Sequence, residues 1–330
     1  MTTTPIARRQ TRTGLQLTEL GLGGAQFGNL YREMPDATAE AIIDAAWAAG
    51  IRYFDTAPHY GLGLSEERIG AALRNYPRDE YVVSTKVGRI IRPNPDGVGN
   101  DTEGFAVPAT RKRIMDYTER GVITSLEESL ERLGLDRIDI AFIHDADAHW
   151  DEAISGAVPA LQRLREEGTI RSFGAGMNQS EMLSRFVREG NADLVMVAGR
   201  YTLLEQRSLD DLFPAARETG ASVVIAGVYN SGLLARPRPA ADAQYNYAAA
   251  PSELVARANA LADVCESHGV SLPEAAIAFA LKHPSVASVS VGASRPGHID
   301  DTIARYNADV PEQLWADLVS AGLVDERAFN

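Results

Sequence analysis

Four side chains that could exchange protons lie at or just after the ends of predicted strands. Asp55 ends the apolar run IRYFD, and Tyr60 lies five residues further along the same loop. Lys86 ends VVSTK, and His144 ends IAFIH. A lysine ammonium beside a tyrosine hydroxyl favours the phenolate and lowers a pKa that is ordinarily about 10. An aspartate would keep that lysine charged and a histidine could orient a substrate oxygen, which suits acid–base chemistry on a carbonyl or an alcohol.

Each of the four also has a purely structural explanation when it is considered alone. Asp55 could end a strand, Lys86 could be solvated, and His144 could be a buried polar residue with a satisfied hydrogen bond. All four nevertheless converge on the carboxyl ends of three neighbouring strands. This convergence favours a catalytic site, although moving a hydride would also require a cofactor.

A repeated unit of helix and strand predicts how these side chains are positioned. An amphipathic helix ends in glycine and a short apolar run follows, for example AIIDAAWAAG before IRYFDTA. Glycine past a helix end adopts the left-handed conformation that stops the helix. Runs that are apolar on both faces are typical of parallel strands covered by helices. The glycines predicted to end helices in this way are Gly50, Gly134, Gly168, Gly190 and Gly220.

Eight such strands predict an α/β fold, a closed (β/α)8 TIM barrel, formed by a single domain over residues 1–330. A doubly wound dinucleotide-binding sheet is disfavoured, because LGLGGAQFG lacks the G-x-G-x-x-G spacing. An N-terminal β-hairpin turning at Thr13–Gly14 is expected to plug the barrel bottom. Long loops are predicted after strands three and seven, at Arg89–Gly121 and Ala235–Pro251, on the face where barrel active sites lie.

Composition argues against several classes of partner. The chain has 330 residues and a formal net charge of -13, which argues against a nucleic-acid backbone as partner. No apolar run approaches the ~20 residues of a membrane span. The single cysteine, Cys265, and an amino-terminal MTTTPIARRQ without an apolar segment lead us to expect a cytoplasmic location. The spacing of His59, His144, Asp145 and Asp147 matches no ligand motif, so no metal is predicted.

The motif DTAPHYG, followed by STKVG and by the histidine of IHDAD, resembles the aldo-keto reductase superfamily. The resemblance extends over nearly the whole chain. It implies an eight-stranded barrel with a nicotinamide cofactor bound across the carboxyl ends of the strands. It also implies that Asp55, Tyr60, Lys86 and His144 form a catalytic tetrad.

The segments AGRYTLLEQ, VYNSGLLARP, YNYAAAP and VSVGASRP resemble an aldose-oxidising branch of that superfamily. This branch contains L-fucose (D-threo-aldose) 1-dehydrogenases and pyridoxal 4-dehydrogenase. The resemblance implies that a cyclic hemiacetal of a small sugar or aldehyde is oxidised to a lactone, with Tyr60 taking the hydroxyl proton. A pyridoxal 4-dehydrogenase and a small-aldehyde reductase remain alternatives. A non-enzymatic cofactor-binding subunit is disfavoured, because such a protein has no use for Tyr60 beside Lys86.

The same resemblance implies the cofactor contacts. An asparagine after strand five would bind the carboxamide of the nicotinamide. The loop after strand seven would bind the pyrophosphate, and the loop and helix start after strand eight would bind the phosphate on the adenosine side. A helix amino terminus favours an anion at that last position. The implied cofactor-binding residues are Gly24, Ala25, Asn178, Tyr229, Asn230, Ser231, Gly232, Leu233, Gly292, Ala293, Ser294, Arg295, His298 and Asp301.

Departures from the family pattern bear on cofactor and substrate. Relatives that are strict for NADP often carry a Lys-Ser pair and a later Arg around the 2′-phosphate of that cofactor. In this sequence Arg295 is the one obvious cation left in the region. This difference favours NAD and leaves NADP possible. Ala226 stands where many relatives stack a tyrosine on nicotinamide, and Ala198 where many have a glutamine. Arg200 could equally meet a substrate hydroxyl or pair with a carboxylate. The residues predicted to contact substrate are Tyr31, His59, Asp145 and Arg200.

Overall fold

The predicted strand segments form a closed barrel in the computed structural model, which describes residues 5–240, 242–246 and 248–329. Within those residues, eight parallel strands each pair with the next along the chain, and the last pairs with the first between Val289 and Leu20. The barrel prediction is therefore confirmed. The barrel strands are β1 (Leu20–Gly23), β2 (Tyr53–Asp55), β3 (Val82–Val87), β4 (Ile140–His144), β5 (Ser172–Met177), β6 (Leu194–Ala198), β7 (Ser222–Ala226) and β8 (Val286–Gly292).

Helices cover the outside of the barrel, and for one of them the local sequence explains where it begins. Ser271 precedes one of them and forms a capping box with Glu274, so that backbone amides at the helix start are satisfied by side chains. The main helices of the described chain are α1 (Asp36–Ala48), α2 (Leu64–Leu73), α3 (Glu119–Leu133), α4 (Val158–Glu166), α5 (Ser180–Arg188), α6 (Leu212–Thr219), α7 (Ser252–Ser267), α8 (Leu272–Lys282), α9 (Gly297–Tyr306) and α10 (Glu312–Ser320).

The predicted left-handed glycines are present in four of the five positions. Gly50, Gly134, Gly168 and Gly220 have positive φ angles, but Gly190 does not. After α5 the left-handed residue is Asn191, with φ 51°. Asparagine tolerates this conformation, so the turn moves one residue along the chain. The glycine at 190 is instead required by packing, since a Cβ there would lie 2.8 Å from the Phe186 carbonyl oxygen.

The N-terminal hairpin closes the bottom of the barrel, as predicted. Strand Arg8–Gln10 pairs with Gln16–Thr18, and the turn contains Gly14 with φ 82°. Leu15 and Leu17 are fully buried and pack with interior side chains of the barrel strands. The barrel is therefore closed at the bottom, and its free space lies at the carboxyl ends of the strands.

The two long segments beyond the barrel are more regular than loops. Strand Arg89–Pro93 pairs with Arg111–Met115 to form a hairpin over the top of the barrel. In the segment after β7, Gln244–Tyr245 pairs with Ala248–Ala249. These hairpins form the rim of the site. Among the described residues, no helix is both long enough and apolar enough to cross a membrane.

A buried carboxylate joins the barrel wall to two outer helices. Glu66 of α2 is fully buried, and its Oε1 accepts a hydrogen bond from Thr85 Oγ1 of β3 at 2.6 Å. Its Oε2 accepts one from Arg132 Nε of α3, also at 2.6 Å. Glu66 therefore fixes the outer face of the strand whose next residue, Lys86, faces the site.

We expect Glu66→Ala to lower the free energy of unfolding by about 3 kcal/mol, because it removes the closest acceptor of a largely buried arginine. Urea unfolding should show a lower midpoint with an unchanged slope. Glu67→Ala is the matched control, since Glu67 makes only an exposed ion pair with Arg111 at 3.1 Å. Its loss should stay below about 1 kcal/mol. Equal losses in the two variants would contradict the role given to Glu66.

Candidate active site

The alternation of side chains along the strands delivers three of the predicted residues to the barrel interior. Successive side chains of a strand point to opposite faces, so residues two apart share a face. On β2, Asp55 is two residues from Tyr53, which packs in the barrel interior. On β3, Lys86 is four residues from the interior residue Val82, and on β4, His144 is two residues from the interior residue Phe142, so each shares the interior face. Asp55, Lys86 and His144 therefore form the top layer of the barrel interior.

Asp55 and Lys86 form a buried ion pair. Asp55 is 3% exposed and Lys86 2% exposed. Lys86 Nζ donates to Asp55 Oδ2 at 2.7 Å and to the Thr56 carbonyl at 2.9 Å, while Asp55 Oδ1 accepts from Ser84 Oγ at 2.7 Å. Burial acts to lower the pKa of Lys86, but the charge of Asp55 and the contact with Tyr60 outweigh it and raise the pKa. The lysine is therefore a permanent cation.

Tyr60 reaches this pair because its loop crosses another backbone segment at very short range. A Cβ on Gly28 would lie 2.5 Å from the carbonyl carbon of Tyr60, and one on Gly61 would lie 2.4 Å from the Gly28 oxygen. Gly61 also has φ +64°. Only glycine fits both positions. The crossing brings the Tyr60 ring to 4.6 Å from Lys86 Nζ, measured to the ring centroid.

The pKa of Tyr60 is raised, contrary to the direction expected from the sequence. Burial is the largest cause, and it favours the neutral phenol. The charge of Lys86 and its hydrogen bond act in the opposite direction, but they do not outweigh burial and the nearby Asp55 carboxylate. Tyr60 is thus a protonated acid at neutral pH, and Lys86 determines how readily it ionises.

His144 lies across the cavity from Tyr60, with their rings perpendicular and 5.8 Å apart. Burial, followed by the charges of Lys86 and Arg89, lowers the pKa of His144 well below its usual value. The imidazole is therefore neutral and offers one N–H donor and one acceptor. Its Nδ1 is buried without a hydrogen-bond partner among the described residues. A neutral, incompletely satisfied imidazole is suited to orienting a substrate oxygen.

These groups line a cavity of about 650 Å³, named here the catalytic cavity. Three of the tetrad residues line it, while Asp55 lies behind Lys86. It is large enough for a small sugar or aldehyde. Its lining includes the predicted residues Ala25, Tyr31, His59, Tyr60, Lys86, His144, Asp145 and Asn178, and also Ala198 and Ala226, which stand where many relatives have larger side chains.

A second cavity of about 460 Å³, named here the cofactor cavity, adjoins the first through Tyr31 and Asn178. The two together form an extended cleft across the carboxyl ends of the strands. Asn230 Oδ1 is buried in its wall and has no hydrogen-bond partner among the described residues, so a donor from a bound nucleotide would satisfy it. The residues present therefore fit a nicotinamide dinucleotide. Its lining includes Asn178, Tyr229, Asn230, Ser231, Gly232 and Gly292.

Several predicted cofactor residues lie beside the cleft, beyond the lining of either cavity. At the start of α9, Ser294 N donates to His298 Nδ1 at 3.3 Å, and Arg295 pairs with Asp301 at 3.3 Å. Pro296 directly precedes α9, and no side chain caps the backbone amides at the start of this helix. The amides of His298 and Ile299 already donate to the carbonyl oxygens of Arg295 and Pro296, so an anion here would be held mainly by side chains. The predicted residues outside the two linings are Gly24, Leu233, Ala293, Ser294, Arg295, His298, Asp301 and Arg200.

The contacts of three predicted residues bear on their roles, which stay predictions. Gly24 is a packing position, since a Cβ there would lie 2.4 Å from the Asp55 carbonyl oxygen. Arg200 pairs with Glu205 at 3.3 Å, which is the carboxylate alternative rather than the substrate one. The Tyr229 hydroxyl accepts a hydrogen bond from Arg305 of α9 at 3.1 Å, so that ring is tethered towards the helix.

Sequence reasoning missed several residues of the upper wall, two of them charged. Arg89, Glu103 and Phe105 line the catalytic cavity, and all three lie in the segment that was predicted only as a long loop. Arg32 was also missed; its Nη2 donates to Ser294 Oγ at 2.6 Å. Arg89 carried a usable signal, because it lies two residues after the end of β3.

The structure combines a parallel barrel, a buried acid–base group and an adjoining cleft large enough for a nucleotide. This combination is typical of an oxidoreductase. The chain belongs to the aldo/keto reductase family, whose model matches residues 19–322, and it is an NAD(P)-dependent oxidoreductase.

Three relatives illustrate the similarity. A D-threo-aldose 1-dehydrogenase of a Pseudomonas species is 48% identical over 316 residues, 94% of this chain and 96% of the relative. A pyridoxal 4-dehydrogenase of Microbacterium luteolum is 38% identical over 95% of this chain and 96% of its own. A solved aldo-keto reductase of Bacillus halodurans in its holo form superposes with a TM-score of 0.76 at 26% identity, over 98% of this chain and 100% of the other.

In the described part of the chain, no group of three or more His, Cys, Asp or Glu side chains is arranged to hold a metal ion. The absence of a metal cofactor stays a prediction. The charged residues of the acid–base group, Asp55 and Lys86, are satisfied by hydrogen bonds with other groups of the protein.

Proposed function

We propose that the protein oxidises the cyclic hemiacetal of an aldose of the L-fucose (D-threo) type to the corresponding lactone. The observation that carries this proposal is the buried Asp55–Lys86 pair beneath Tyr60, with neutral His144 opposite, at the base of the catalytic cavity. The substrate class is supported by the 48% identity to a D-threo-aldose 1-dehydrogenase over 94% of the chain.

In this reaction, the chain's own residues handle the proton. Tyr60 in its phenolate form takes the proton of the anomeric hydroxyl, and Lys86 stabilises that phenolate. Asp55 keeps Lys86 charged and fixes its position. His144 donates a hydrogen bond to a substrate oxygen and so orients the reacting carbon. A bound nicotinamide cofactor supplies the acceptor for the hydride that leaves the anomeric carbon.

The polar wall of the catalytic cavity favours a polyhydroxylated substrate. Glu103, Asp145 and Asp147 line the cavity opposite the barrel floor. Carboxylates accept hydrogen bonds from hydroxyl groups. A substrate with several hydroxyl groups therefore suits this wall.

Pyridoxal is the second candidate substrate. It too forms a cyclic hemiacetal, so the same four residues could oxidise it. Phe105 and Tyr31 line the same cavity, and aromatic side chains can stack on a pyridine ring. The 38% identity to a pyridoxal 4-dehydrogenase supports this alternative.

The test is formation of NADH or NADPH with L-fucose, D-arabinose or pyridoxal as substrate. The methyl glycoside of each sugar is the matched control, because it lacks the free anomeric hydroxyl and cannot form a lactone. Turnover of a free aldose but not of its glycoside supports the proposal. Turnover of pyridoxal alone would replace it with the second candidate. Tight cofactor binding without turnover of any substrate would favour a non-catalytic binding protein.

For the cofactor, we propose NAD with NADP tolerated. Arg295 is engaged by Asp301, and that carboxylate would repel a 2′-phosphate. Arg32 is a further cation nearby, bonded to Ser294. Both cations leave some tolerance for NADP.

We expect kcat/KM to be higher with NAD than with NADP, and Asp301→Asn to raise kcat/KM for NADP about tenfold, because the freed Arg295 can make a charge-assisted contact. The value for NAD should change little. Asp300→Asn, one residue earlier on the same helix, is the control. It should change kcat/KM for neither NAD nor NADP. A preference for NADP of about 100-fold or more in the unmodified protein would contradict the proposal.

We also propose that residues 1–330 form one domain in a reducing, cytoplasmic setting. The family model extends over residues 19–322. The single cysteine, Cys265, is buried in α7, where burial raises the pKa of its thiol to about 12. Such a thiol is protonated and unreactive at neutral pH.

A further inference from the structure

A network of charged groups on the upper wall of the catalytic cavity has no part in the chemistry described so far. Arg89 lies at its centre and is largely buried. One guanidinium nitrogen, Nη1, lies 2.9 Å from His59 Nδ1. The other, Nη2, donates to Asp145 Oδ2 at 2.7 Å. The same carboxylate oxygen lies 3.4 Å from His144 Nε2. Arg89 thus joins two residues of the cavity wall and, through Asp145, reaches the candidate catalytic histidine.

The backbone fixes Arg89 in this position. Gly88 directly follows β3 and has φ +100°, and a Cβ there would lie 2.2 Å from the ring of Tyr117. Arg89 then pairs with Met115 in the hairpin over the barrel. Tyr117 donates hydrogen bonds to the carbonyl oxygens of His144 at 2.7 Å and Asp145 at 3.1 Å. The hairpin and the end of β4 are therefore held as one unit around Arg89.

Asp145 is held in an unusual backbone conformation. Its φ is 43°, in the left-handed region that non-glycine residues seldom adopt. Conformations of this kind persist where surrounding contacts impose them, and they cluster at functional sites. The contacts here are the ion pair with Arg89 and the hydrogen bond from Tyr117.

The contact with Arg89 determines the tautomer of His59. A guanidinium has only donors, so His59 Nδ1 must accept, and a neutral imidazole then carries its proton on Nε2. Burial, followed by the charges of Arg89, Arg113 and Lys86, lowers the pKa of His59 to about 2, so the ring is neutral. The carboxylate of Glu103 also lies near the ring, 3.7 Å from Nδ1, and the neutral imidazole of His144 packs edge-on against it.

We propose that Arg89 is a positioning residue that fixes His59 as the Nε2–H tautomer, so that His59 donates a hydrogen bond to an oxygen of the substrate in the catalytic cavity. This inference rests on the proposed oxidation of an aldose, because a polyhydroxylated substrate supplies the acceptor. His59 lines the cavity and packs edge-on against Phe105 at 5.2 Å between ring centroids, which fixes its plane. The donor is thus held in place before the substrate arrives.

The two contacts of Arg89 require a guanidinium. Lysine has a single ammonium group and could satisfy His59 or Asp145, but the planar fork of arginine serves both at once. Arg89→Lys should therefore keep part of this hydrogen bonding to His59 and Asp145, and Arg89→Met should remove all of it. Both variants are needed, because Arg89 is largely buried and the larger change could impair folding; a thermal melt of each variant checks that it folds.

The first measurement is the tautomer of His59 by ¹⁵N NMR of histidine-labelled protein, which has six histidines. His59→Phe identifies the signal. In the unmodified protein we expect a single Nε2–H tautomer from about pH 5 to pH 8. In Arg89→Met the signal should show exchange between the two neutral tautomers, because no donor then fixes Nδ1 as the acceptor. This readout needs no substrate, so it can fail independently of the proposed function.

The second measurement separates KM from kcat for the oxidised substrate. We expect Arg89→Met and His59→Phe each to raise the substrate KM about tenfold, the effect of one lost hydrogen bond to a bound ligand. The values of kcat and the Kd for the cofactor should stay within about threefold. Arg92→Met is the matched control: Arg92 lies on the same hairpin but bonds Glu128 on α3 at 2.6 Å, so its KM should not change.

Two outcomes would overturn the inference. One is an unchanged His59 tautomer in a folded Arg89→Met protein. The other is a fall in kcat at constant KM, which would assign Arg89 to the reacting centre through Asp145 and His144. If no aldose is oxidised but the tautomer responds as expected, the proposed function fails and the assignment of His59 as an aldose donor fails with it.

Discussion

Tyr60→Phe is expected to lower kcat for aldose oxidation by about 10³- to 10⁴-fold, while the Kd for the cofactor stays within about twofold. The phenolic oxygen is the only part of the side chain that exchanges a proton. The phenyl ring keeps the packing of Tyr60 against Phe105 and its position over Lys86. Cofactor affinity, measured by quenching of protein fluorescence, should therefore be preserved while steady-state turnover is lost.

Tyr201→Phe is the matched control for this experiment. Tyr201 is also a fully buried tyrosine, and its hydroxyl lies 3.4 Å from the Ala328 carbonyl, among Phe213 and Phe279 rather than in either cavity. Removing that hydroxyl should leave kcat unchanged. Turnover by Tyr60→Phe within tenfold of the unmodified protein would mean that another group exchanges the proton.

The barrel and the centre of the site were predictable because both follow from local patterns. Parallel strands covered by helices are apolar on both faces, and a polar residue at the end of such a run is conspicuous. Asp55, Lys86 and His144 each end a run of this kind. Their convergence follows from strand order alone, since β2, β3 and β4 are neighbours in the barrel.

The upper wall was not predictable, because its contacts join residues far apart in the chain. Arg89 pairs with Met115 across a segment rich in proline and glycine, without the alternation that identifies a strand. His59 and Arg89 meet only once that hairpin is formed. The left-handed conformation of Asp145 likewise depends on distant partners. Such contacts depend on tertiary structure and leave no periodic signal.

Burial explains why the direction of the Tyr60 pKa also escaped sequence reasoning. A nearby lysine was recognised from the sequence, but the loss of hydration at the barrel top could not be. In the structure, burial dominates the pKa of both Tyr60 and His144. The site therefore holds two neutral groups above one buried ion pair, and that pair controls how easily Tyr60 can lose its proton.

Lys86→Met is expected to lower the oxidation rate at neutral pH by about 10- to 1,000-fold and to move the rising part of the pH–rate profile to higher pH. Oxidation needs the phenolate of Tyr60, and its pKa is already raised by burial. Lys86 opposes that shift, so removing it raises the pKa of Tyr60 further, and a smaller fraction of Tyr60 is then phenolate at neutral pH. Profiles of kcat/KM against pH test this directly. An unshifted profile would show that Lys86 does not act on Tyr60.

A double variant separates this catalytic effect from a loss of stability. Lys86→Met leaves the Asp55 carboxylate buried beside Ser84 without its cation, which should lower the free energy of unfolding by about 3–5 kcal/mol. Adding Asp55→Asn removes the uncompensated charge and should recover a large part of that stability in urea unfolding. It returns no cation to Tyr60, so the pH–rate profile should remain shifted. If activity recovered together with stability, the role of Lys86 would be structural, because the only restored property is the neutrality of the buried pair.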